Sequence, residues 1–599
     1  MESTSTIKKL TKTHTLIIKL VAFLAVAAVF ISLFLINSSN HHRRRRPLPT
    51  TPPSPLQSFI KKSCSETLYP SLCHTTLSPL IPTSMNNNNS TTFQNILQFA
   101  INRTAGHVKN TQTRISANFK TQDLTSPEKN ALKDCMEMLD QTLYELEQAL
   151  IQLGGGSSPP PTTGYNLRRS YGNIKTLLSA AMTNENTCIN GFSDLEELDL
   201  VGGGRNPQKG THREHLQNLL TPISHMISNT LALIKRVENI NRKRVHRIIK
   251  NTESKAVIDP NYVRIVRRRK KHAAAVKRRR NNIPRPDSIV AWDGSGDCTS
   301  IAKAIAKAPN MSAKTYTIKI KSGVYKESVL IPREKINIML VGDGMNSTII
   351  TGSKNFVDGF STFQSATLTV VGDKFLARDL TIRNTAAPEK HQAVALRVTS
   401  NAAFYRCGII SHQDTLYAHS LRQFYHECTI QGTIDFIFGN AAAVFQNCKI
   451  LVRRPVKGQR NMITAQGRED PNQNTGISLQ NCTIEAAEEF DLGQRKHFST
   501  YLGRPWRNYS RTVVVNSYLG DLIHPRGWFE WDRYSSLGTV EYIEYRNSGP
   551  GADTRRRISW GGYRKNCSED VVKQFRAEEF LHGGDDWLDS TVIPLFGGS

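Results

Sequence analysis

The chain has 599 residues and a formal net charge of +28. This length exceeds one ordinary hydrophobic core, so we expect two or more domains and exclude a single small module. The charge is concentrated, because residues 235–285 hold 19 Lys/Arg against three acids, which is +16 of the +28. The excess charge therefore belongs to one segment, and the rest of the chain is only mildly basic.

An apolar segment lies near the N-terminus, from Leu20 to Ile36, and is interrupted only by Ser32. Its length is close to the roughly 20 residues that span a bilayer. Basic residues flank it on both sides, so the charge bias gives a weak orientation. No clear small-residue cleavage site follows, which favours a retained transmembrane signal-anchor over a removed signal peptide. We assign residues 1–56 to this segment and the proline-rich spacer after it, and expect entry into the secretory pathway.

Residues 57–237 show apolar side chains at three- and four-residue steps, the spacing of amphipathic helices. The segment from Glu128 to Leu150 shows it clearly, and Ser126-Pro127 predicts the helix start, with Ser126 as the cap. A Gly/Pro/Ser-rich stretch at 154–164 breaks the pattern before it resumes. We therefore predict an N-terminal all-α domain, an antiparallel four-helix bundle.

Residues 238–286 form a basic linker after the predicted bundle. The runs Arg267–Lys271 and Lys277–Arg280 would suit a processing protease of the dibasic type, and they would equally resemble a nuclear import signal. A basic block can also bind nucleic acid, but this one lacks interleaved aromatic residues and a recognisable reader fold. We therefore expect a solvated linker that proteases can reach, and no nucleic-acid partner.

Short β-rich segments replace the helical pattern from Asp287 onward. Four of them share a phrase in which Cys precedes Ile by two positions: FYRCGI, FYHECTI, FQNCKI and LQNCTI. A repeat of about 20 residues is typical of a strand solenoid, and an ordinary β-sandwich does not explain it. Residues 287–599 are therefore predicted to form a right-handed parallel β-helix.

Three residue pairs in this region share one offset of 21 residues. The pairs are Gln392 and Gln413, Cys407 and Cys428, and Asp414 and Asp435. Residues one turn apart would lie side by side on neighbouring parallel strands, about 4.8 Å apart. Two carboxylates at that separation resist ionising together, so one tends to keep its proton. The offset therefore predicts that Asp414 and Asp435 form an acid/base or nucleophile pair.

The ten cysteines form no CxxC pair, and no His lies at zinc-finger spacing, so we expect no metal site. An even number of cysteines after a signal segment favours disulfides. Sequences of the form N-x-S/T agree with a secretory route. Examples begin at Asn89, Asn102, Asn310, Asn346 and Asn508.

The cysteine spacings suggest particular pairs. Cys64 and Cys73 are close enough in sequence to pin a helical hairpin, and Cys135 and Cys188 could join two bundle helices. The one-turn offset makes a stacked disulfide between Cys407 and Cys428 geometrically reasonable. Two further cysteines, Cys298 and Cys567, either pair with each other or stay free.

Several long motifs occur in order and resemble plant pectin methylesterases with an N-terminal inhibitor-like region. Residues 287–596 resemble the catalytic β-helix domain through AWDGSGD, KSGVYKE, KHQAVALR, QDTLY, DFIFGN, ITAQGR and LGRPW. Residues 58–234 resemble the invertase/pectin methylesterase inhibitor bundle through CSETLYPSLC and the later Cys135 and Cys188. The resemblance also implies that Cys448 pairs with Cys482, as Cys407 does with Cys428.

This resemblance implies hydrolysis of the methyl esters of homogalacturonan (pectin) to polygalacturonate and methanol, in cell wall modification. Asp435 would be the nucleophile that forms an acyl-enzyme. Asp414 would first protonate the leaving group and then act as the base for water. Gln413 would donate amide hydrogens where oxyanion charge develops. No cofactor is implied.

The remaining site residues are expected to bind substrate or hold the acids. Arg504 would pair with Asp435 through a forked hydrogen bond, and Trp506 offers a flat face to a sugar ring. Gln392 would support the site or the sugar, and Thr362 matches a substrate-contact position of the family. Two phenylalanines of DFIFGN, Phe436 and Phe438, either line the cleft or fill the coil interior.

Two partners are implied besides the polymer: the bundle, acting within the chain or on a separate enzyme, and a processing protease. The bundle would serve as an autoinhibitory or retention region of a wall enzyme made as a secreted or membrane-anchored precursor. The alternative is a catalytically silent wall protein that binds polygalacturonate or inhibits other enzymes. The presence of both aspartates with Gln413 and Arg504 favours the enzyme.

Overall fold

The computed structural model describes residues 55–81, 92–120, 123–154, 164–201, 207–252, 285–532, 536–565 and 567–581. The predicted signal-anchor at Leu20–Ile36 and both candidate protease sites lie outside these residues. Within the described ranges, no helix combines the length and the apolar character needed to cross a bilayer.

The first half of the described chain is helical. Its helices are α1 (Pro55–Cys64), α2 (Pro70–Leu77), α3 (Phe93–Lys120), α4 (Ser126–Gln152), α5 (Gly164–Val201) and α6 (Pro207–Thr252). The long helices pack in a ring, α3 against α4, α4 against α5, α5 against α6 and α6 against α3, which confirms the bundle. Helix α6 continues to Thr252, past the boundary predicted at residue 237.

Helix α4 begins one residue earlier than predicted. Its cap is Thr125 rather than Ser126, because Glu128 then occupies the third helical position and completes a capping box. The Glu128 backbone N–H donates to Thr125 Oγ1 at 3.4 Å, and the Thr125 N–H donates to the Glu128 carboxylate at 2.8 Å. Two N–H groups at the helix start are satisfied in this way.

Two predicted disulfides are confirmed in the helical region. Cys64–Cys73 links α1 to α2, and Cys135–Cys188 links α4 to α5. The second bond ties two neighbouring bundle helices across 53 residues of sequence.

The second half of the chain is a parallel β-helix built from three sheets, as predicted. Sheet A contains β1 (Ser288–Val290), β2 (Tyr316–Ile320), β5 (Ile338–Val341), β8 (Phe375–Arg378), β11 (Ala402–Tyr405), β14 (Arg422–His426), β17 (Ala442–Gln446), β20 (Gly476–Gln480), β23 (Arg511–Val515), β25 (Glu541–Tyr545) and β26 (Tyr563–Arg564). Sheet B contains β3 (Gly323–Lys326), β6 (Thr348–Gly352), β9 (Thr381–Asn384), β12 (Gly408–Ile410), β15 (Thr429–Gly432), β18 (Lys449–Val452), β21 (Thr483–Ala486) and β24 (Tyr518–Leu519). Sheet C contains β4 (Val329–Ile331), β7 (Leu368–Val370), β10 (Leu396–Val398), β13 (Leu416–Ala418), β16 (Ile437–Gly439), β19 (Asn461–Gln466) and β22 (Thr500–Pro505).

Short helices accompany the coils. They are α7 (Ile301–Lys307), α8 (Leu492–Arg495), α9 (Glu569–Lys573) and α10 (Ala577–Phe580). Each complete coil passes through sheets A, B and C in turn, and every strand pairs in parallel with the equivalent strand of the next coil. Equivalent side chains therefore stack along the axis; the rings of Phe404 and Tyr425 lie 5.0 Å apart, and those of Tyr425 and Phe445 4.6 Å apart.

A recurrent turn from sheet A to sheet B explains the repeated cysteine phrase. In successive coils a residue with positive φ precedes a residue that packs inside the coil. These pairs are Asp379 and Leu380, Arg406 and Cys407, Glu427 and Cys428, Asn447 and Cys448, and Asn481 and Cys482. The left-handed residue turns the chain sharply, and the next side chain enters the apolar interior.

The predicted Cys407–Cys428 and Cys448–Cys482 disulfides are wrong, because all four residues are free and buried. Side chains in register on parallel strands are separated by about 4.8 Å, whereas a disulfide needs Cβ atoms about 3.8 Å apart. The thiols instead lie near backbone carbonyl oxygens, as Cys428 Sγ does at 3.5 Å from Phe404 O. Cys298 and Cys567 are also free.

We expect thiol labelling to separate the two groups of cysteines. A maleimide applied to unreduced, denatured protein should label Cys407, Cys428, Cys448 and Cys482, and should label them poorly in the native state, because they are buried in the coil. Cys64, Cys73, Cys135 and Cys188 should react only after reduction, and peptide mass mapping identifies each site. Labelling of the four β-helix cysteines only after reduction would show that they are bonded.

Candidate active site

The two predicted catalytic acids occupy equivalent positions in adjacent coils. Asp414 lies two residues before β13, and Asp435 lies two residues before β16. The Asp414 N–H donates to Ile434 O at 3.0 Å, which holds the two segments in register. Both acids are largely buried, with 8% and 5% of their surface exposed. The sequence prediction that these carboxylates lie on neighbouring coils of one face is confirmed.

Both aspartates have left-handed backbones, with φ of 62° at Asp414 and 49° at Asp435. Asp is one of the few residues other than Gly that enter this region readily. Such conformations cost free energy and persist where the surrounding structure holds them. The left-handed turn therefore fixes the position of each carboxylate just before its strand of sheet C.

Arg504 holds Asp435 by a fork of two hydrogen bonds, as predicted. Its Nε donates to Asp435 Oδ1 at 2.9 Å, and its Nη2 donates to Oδ2 at 2.6 Å. A bidentate guanidinium fixes the plane of the carboxylate that it binds. The side chain of Asp435 therefore has a fixed orientation at the N-terminal end of β16 in sheet C.

The two glutamines stack one coil apart on the same face. Gln392 and Gln413 form a parallel bridge, and the Ala393 N–H donates to Gln413 O at 3.2 Å. Gln413 immediately precedes Asp414, so it also lies near the N-terminal end of β13. The Oε1 of Gln392 is buried and makes no hydrogen bond among the described residues.

A row of outward-facing side chains crosses sheet C beside the acids. Register places Tyr417 beside Phe438, Phe438 beside Ala465, and Ala465 beside Arg504. Tyr417 and Phe438 stack with ring centroids 4.2 Å apart. Phe436 lies just before β16 and is fully buried in the coil interior, whereas Phe438 belongs to the outer aromatic cluster. Phe438 therefore lines the face, and Phe436 fills the core.

Trp506 extends the aromatic surface at one end of this row. It follows β22 directly, and its ring lies 6.1 Å from Phe438 and 6.3 Å from Trp531. The guanidinium carbon of Arg504 lies 4.1 Å from the centre of the Trp531 ring. Flat rings around the acids form a surface that suits pyranose rings.

The predicted substrate contact Thr362 lies in the loop before β7. Its neighbour Phe363 packs with Val394, Tyr417 and Phe438 on the outer face of sheet C. The loop therefore forms a wall of the cleft, next to the residues that follow the two acids.

Sequence reasoning missed Tyr417, Phe363 and Trp531. Tyr417 follows Asp414 by three residues, as Phe438 follows Asp435, so the 21-residue offset could have revealed it. Phe363 and Trp531 lie outside that repeat, and only the fold brings them to the site. No cluster of three His, Cys, Asp or Glu side chains suited to a metal ion is found in the described parts of the chain.

One face of helix α4 covers this cleft. Met138 packs into the cluster formed by Phe363, Tyr417 and Phe438. Asp134 accepts hydrogen bonds from Ser361 and from Gln364 Nε2, the latter at 2.6 Å. Asp134 and Met138 are four residues apart, so they lie on one face of the helix.

Further polar contacts join the bundle to the β-helix around the cleft. They are Arg397 with Glu137, Arg333 with Asp140, His419 with Thr187, Asn440 with Thr183, Asp470 with Ser228, and Arg507 with Asn190. Burial raises the pKa of Asp134 from 3.8 to about 6, although its hydrogen bonds to Ser361 and Gln364 and the charge of Arg397 oppose the shift. The bundle thus buries an acid against the active face.

Comparison with known proteins assigns both halves of the chain. Residues 287–585 match the family model described as Pectinesterase, and residues 58–233 match the model described as Plant invertase/pectin methylesterase inhibitor. Pectinesterase 1 of Citrus sinensis is 42% identical, over 90% of this chain and 88% of that protein. Pectinesterase/pectinesterase inhibitor U1 of Solanum lycopersicum is 41% identical, over 90% and 89%.

Among solved structures, the pectin methylesterase from carrot is similar, with 52% identity and a TM-score of 0.52. The similarity covers 53% of this chain and 100% of that one. Fold, site and comparisons together define a carboxylic ester hydrolase with a fused inhibitor-type bundle. The chain belongs to the pectinesterase family.

Proposed function

We propose that the protein hydrolyses the methyl esters of homogalacturonan through an aspartyl acyl-enzyme, releasing methanol and polygalacturonate. The observation that supports this most strongly is the fork of Arg504 on Asp435, with Asp414 at the equivalent position one coil earlier. Two carboxylates on adjacent coils resist ionising together, so an oriented, charge-paired acid beside a second acid suits a nucleophile and a proton donor.

In the first half-reaction an Asp435 oxygen attacks the carbonyl carbon of the methyl ester. Negative charge moves to the carbonyl oxygen, and the Gln413 amide donates to it. The bond to the methoxy group then breaks as Asp414 gives its proton to that oxygen, and methanol leaves. A mixed anhydride joins Asp435 to the galacturonate carbonyl.

In the second half-reaction Asp414, now ionised, accepts a proton from water. The hydroxyl attacks the anhydride carbonyl, and the bond to Asp435 breaks. Asp435 returns to its carboxylate beside Arg504, the sugar leaves with a free carboxyl group, and Asp414 is protonated for the next cycle.

Sugar rings adjacent to the scissile ester are positioned by the surrounding surface. Trp506 offers a flat face to one ring, and the loop with Thr362 forms a wall of the cleft. Gln392 supports Gln413 from the preceding coil. Its buried Oε1, which has no hydrogen-bond partner among the described residues, would accept from a sugar hydroxyl once the bundle has left. The competing assignment, a silent polygalacturonate-binding wall protein, does not require the Arg504 fork on Asp435.

We expect Asp435→Ala to abolish methanol release from highly esterified pectin, because no nucleophile remains. Asp414→Asn should lower kcat by about 10²- to 10⁴-fold, the usual contribution of general acid–base catalysis. Asp521→Asn, which changes a half-exposed acid paired with Arg495, is the matched control and should leave the rate unchanged. Equal release from all variants would exclude the mechanism.

We further propose that the bundle inhibits the enzyme within the chain, in a precursor that travels through the secretory pathway to the cell wall. Met138 fills the aromatic cluster beside the acids, and Asp134 holds the loop that contains Thr362. A polymer cannot lie along sheet C while these contacts exist. Cleavage within residues 253–284 by a processing protease would free the cleft.

Placing a charge at Met138 should release this inhibition. Met138→Glu buries an unpaired carboxylate among aromatic rings, which costs several kcal/mol, so the uncleaved chain should release methanol at least about tenfold faster. Met311→Glu, at an exposed methionine of the β-helix, is the matched control. Uncleaved wild type that is already as active as Met138→Glu would contradict inhibition within the chain.

The bundle should bind the β-helix less tightly as pH rises through the pKa of Asp134. In the closed chain this pKa is raised to about 6 by burial, above its ordinary value of 3.8, so closure binds a proton between these values. The stabilisation is fully present below about pH 4 and is lost as pH approaches 6. For a chain nicked within residues 253–284, the dissociation constant of the bundle should therefore rise by at most about 100-fold between these pH values.

Asp134→Asn provides the control for this pH dependence. Its dissociation constant, measured by calorimetry rather than by activity, should vary much less with pH between 4 and 6. A wild-type constant that stays level across the same range would contradict the assignment to Asp134.

A further inference from the structure

One arginine on the active face has no role in the proposed reaction. Arg397 lies in β10, in the same coil as Gln392, and its Cα partners are Thr369 on one side and Tyr417 on the other. Because Tyr417 continues the row to Phe438 and Arg504, Arg397 extends the outward-facing row of sheet C. It lies two strand spacings from the coil of Asp435, about 10 Å along the axis.

The Arg397 guanidinium is buried, but only part of its hydrogen-bonding capacity is used. Its carbon lies 3.3 Å from the centre of the Phe363 ring, and only 5% of its side chain is exposed. Its one ion pair in the described parts of the chain runs from Nη2 to Glu137 at 3.3 Å. Its Nε and Nη1 are buried and make no hydrogen bond there. Buried donors left unpaired are costly, so the site is suited to an acceptor that fills them.

The acids that act on Arg397 come from the bundle. Glu137 makes the ion pair, and Asp134 contributes a second negative charge. On the β-helix side, the neighbouring groups are the rings of Phe363, Tyr417 and His419. Once the bundle leaves, the guanidinium stays on the cleft face with its acidic partner removed.

We propose that Arg397 is a subsite for the free carboxylate of a galacturonate unit that has already lost its methyl group. This assignment rests on the proposed function, because the polymer must run along sheet C from Asp435 to Arg397. A carboxylate accepts charge-assisted hydrogen bonds from Nε and Nη1, whereas a methyl ester offers only a neutral carbonyl. Arg397 therefore selects esters that lie a few rings from an existing acid, which directs the enzyme to extend de-esterified blocks.

The same geometry assigns a role to Glu137. Its carboxylate reaches the guanidinium from the bundle, where a product carboxylate would approach from the polymer. The bundle thus occupies the subsite with an acid of its own while the cleft is closed, although this acid bonds Nη2 and leaves Nε and Nη1 without a partner among the described residues.

The test uses the full chain with a protease recognition sequence introduced within residues 253–284 and nicked before assay. The substrates are two pectins of equal methyl content, with free acids either in blocks or scattered. Wild type should show a KM about tenfold lower on the blocky pectin, the worth of one charged hydrogen bond, and Arg397→Gln should remove that preference with little change in kcat. Arg397→Lys should keep part of it.

Arg406→Gln is the matched control, because this arginine is half-exposed and pairs with Asp379 on the A-to-B turn. It should keep the wild-type preference. Thermal melting of each variant checks folding. A blocky preference that persists in Arg397→Gln, or that is missing from wild type, would overturn the subsite.

Binding of a fully de-esterified oligogalacturonate, measured by calorimetry on the nicked chain, separates the two proposals. Affinity should fall about tenfold in Arg397→Gln and less in Arg397→Lys, since lysine keeps the charge and loses the fork. Loss of binding in Arg397→Gln together with no methanol release by wild type would retain the subsite and reject the esterase mechanism. Unchanged binding in Arg397→Gln would reject the subsite.

Discussion

The stacking of successive coils in register is the constraint on which the site depends. It places Asp414 and Asp435 at equivalent points of adjacent turns and sets Gln392 beside Gln413. It also brings Arg504, 69 residues further along the chain than Asp435, onto the same sheet face. A slip of one residue in any coil would turn these side chains toward the interior, so the chemistry and the core share one register.

The parts of the site that repeat were predictable from sequence, and the parts that do not repeat were missed. The 21-residue offset located both acids and both glutamines. The same offset led to the wrong prediction of a disulfide between Cys407 and Cys428. Register predicts that two side chains are neighbours, but a disulfide also requires a particular distance between their Cβ atoms. Trp531 reaches Arg504 only through the path of a long loop, which no periodicity encodes.

In the bundle, too, the sequence period locates residues without showing what they contact. Apolar spacing located α4, because its inward residues follow the helical period. Its other face, which carries Asp134, Glu137 and Met138, follows that period as well, but its partner lies more than two hundred residues away. Sequence could place these residues on one stripe, and only the fold shows that the stripe meets the active face. The cap at Thr125 was missed for a local reason, since the capping box depends on Glu128 rather than on the proline.

The positive φ angles at Asp414 and Asp435 bear on how such an enzyme can lose its activity during evolution. Asparagine and glycine tolerate the same backbone region, so an Asp→Asn change at either position leaves the turn undisturbed. A duplicated gene could therefore lose catalysis by a single-base change and still encode a well-folded polymer-binding solenoid. β-Branched replacements would disturb the turn itself, so inactive descendants are expected to retain residues that are unbranched at Cβ at these positions.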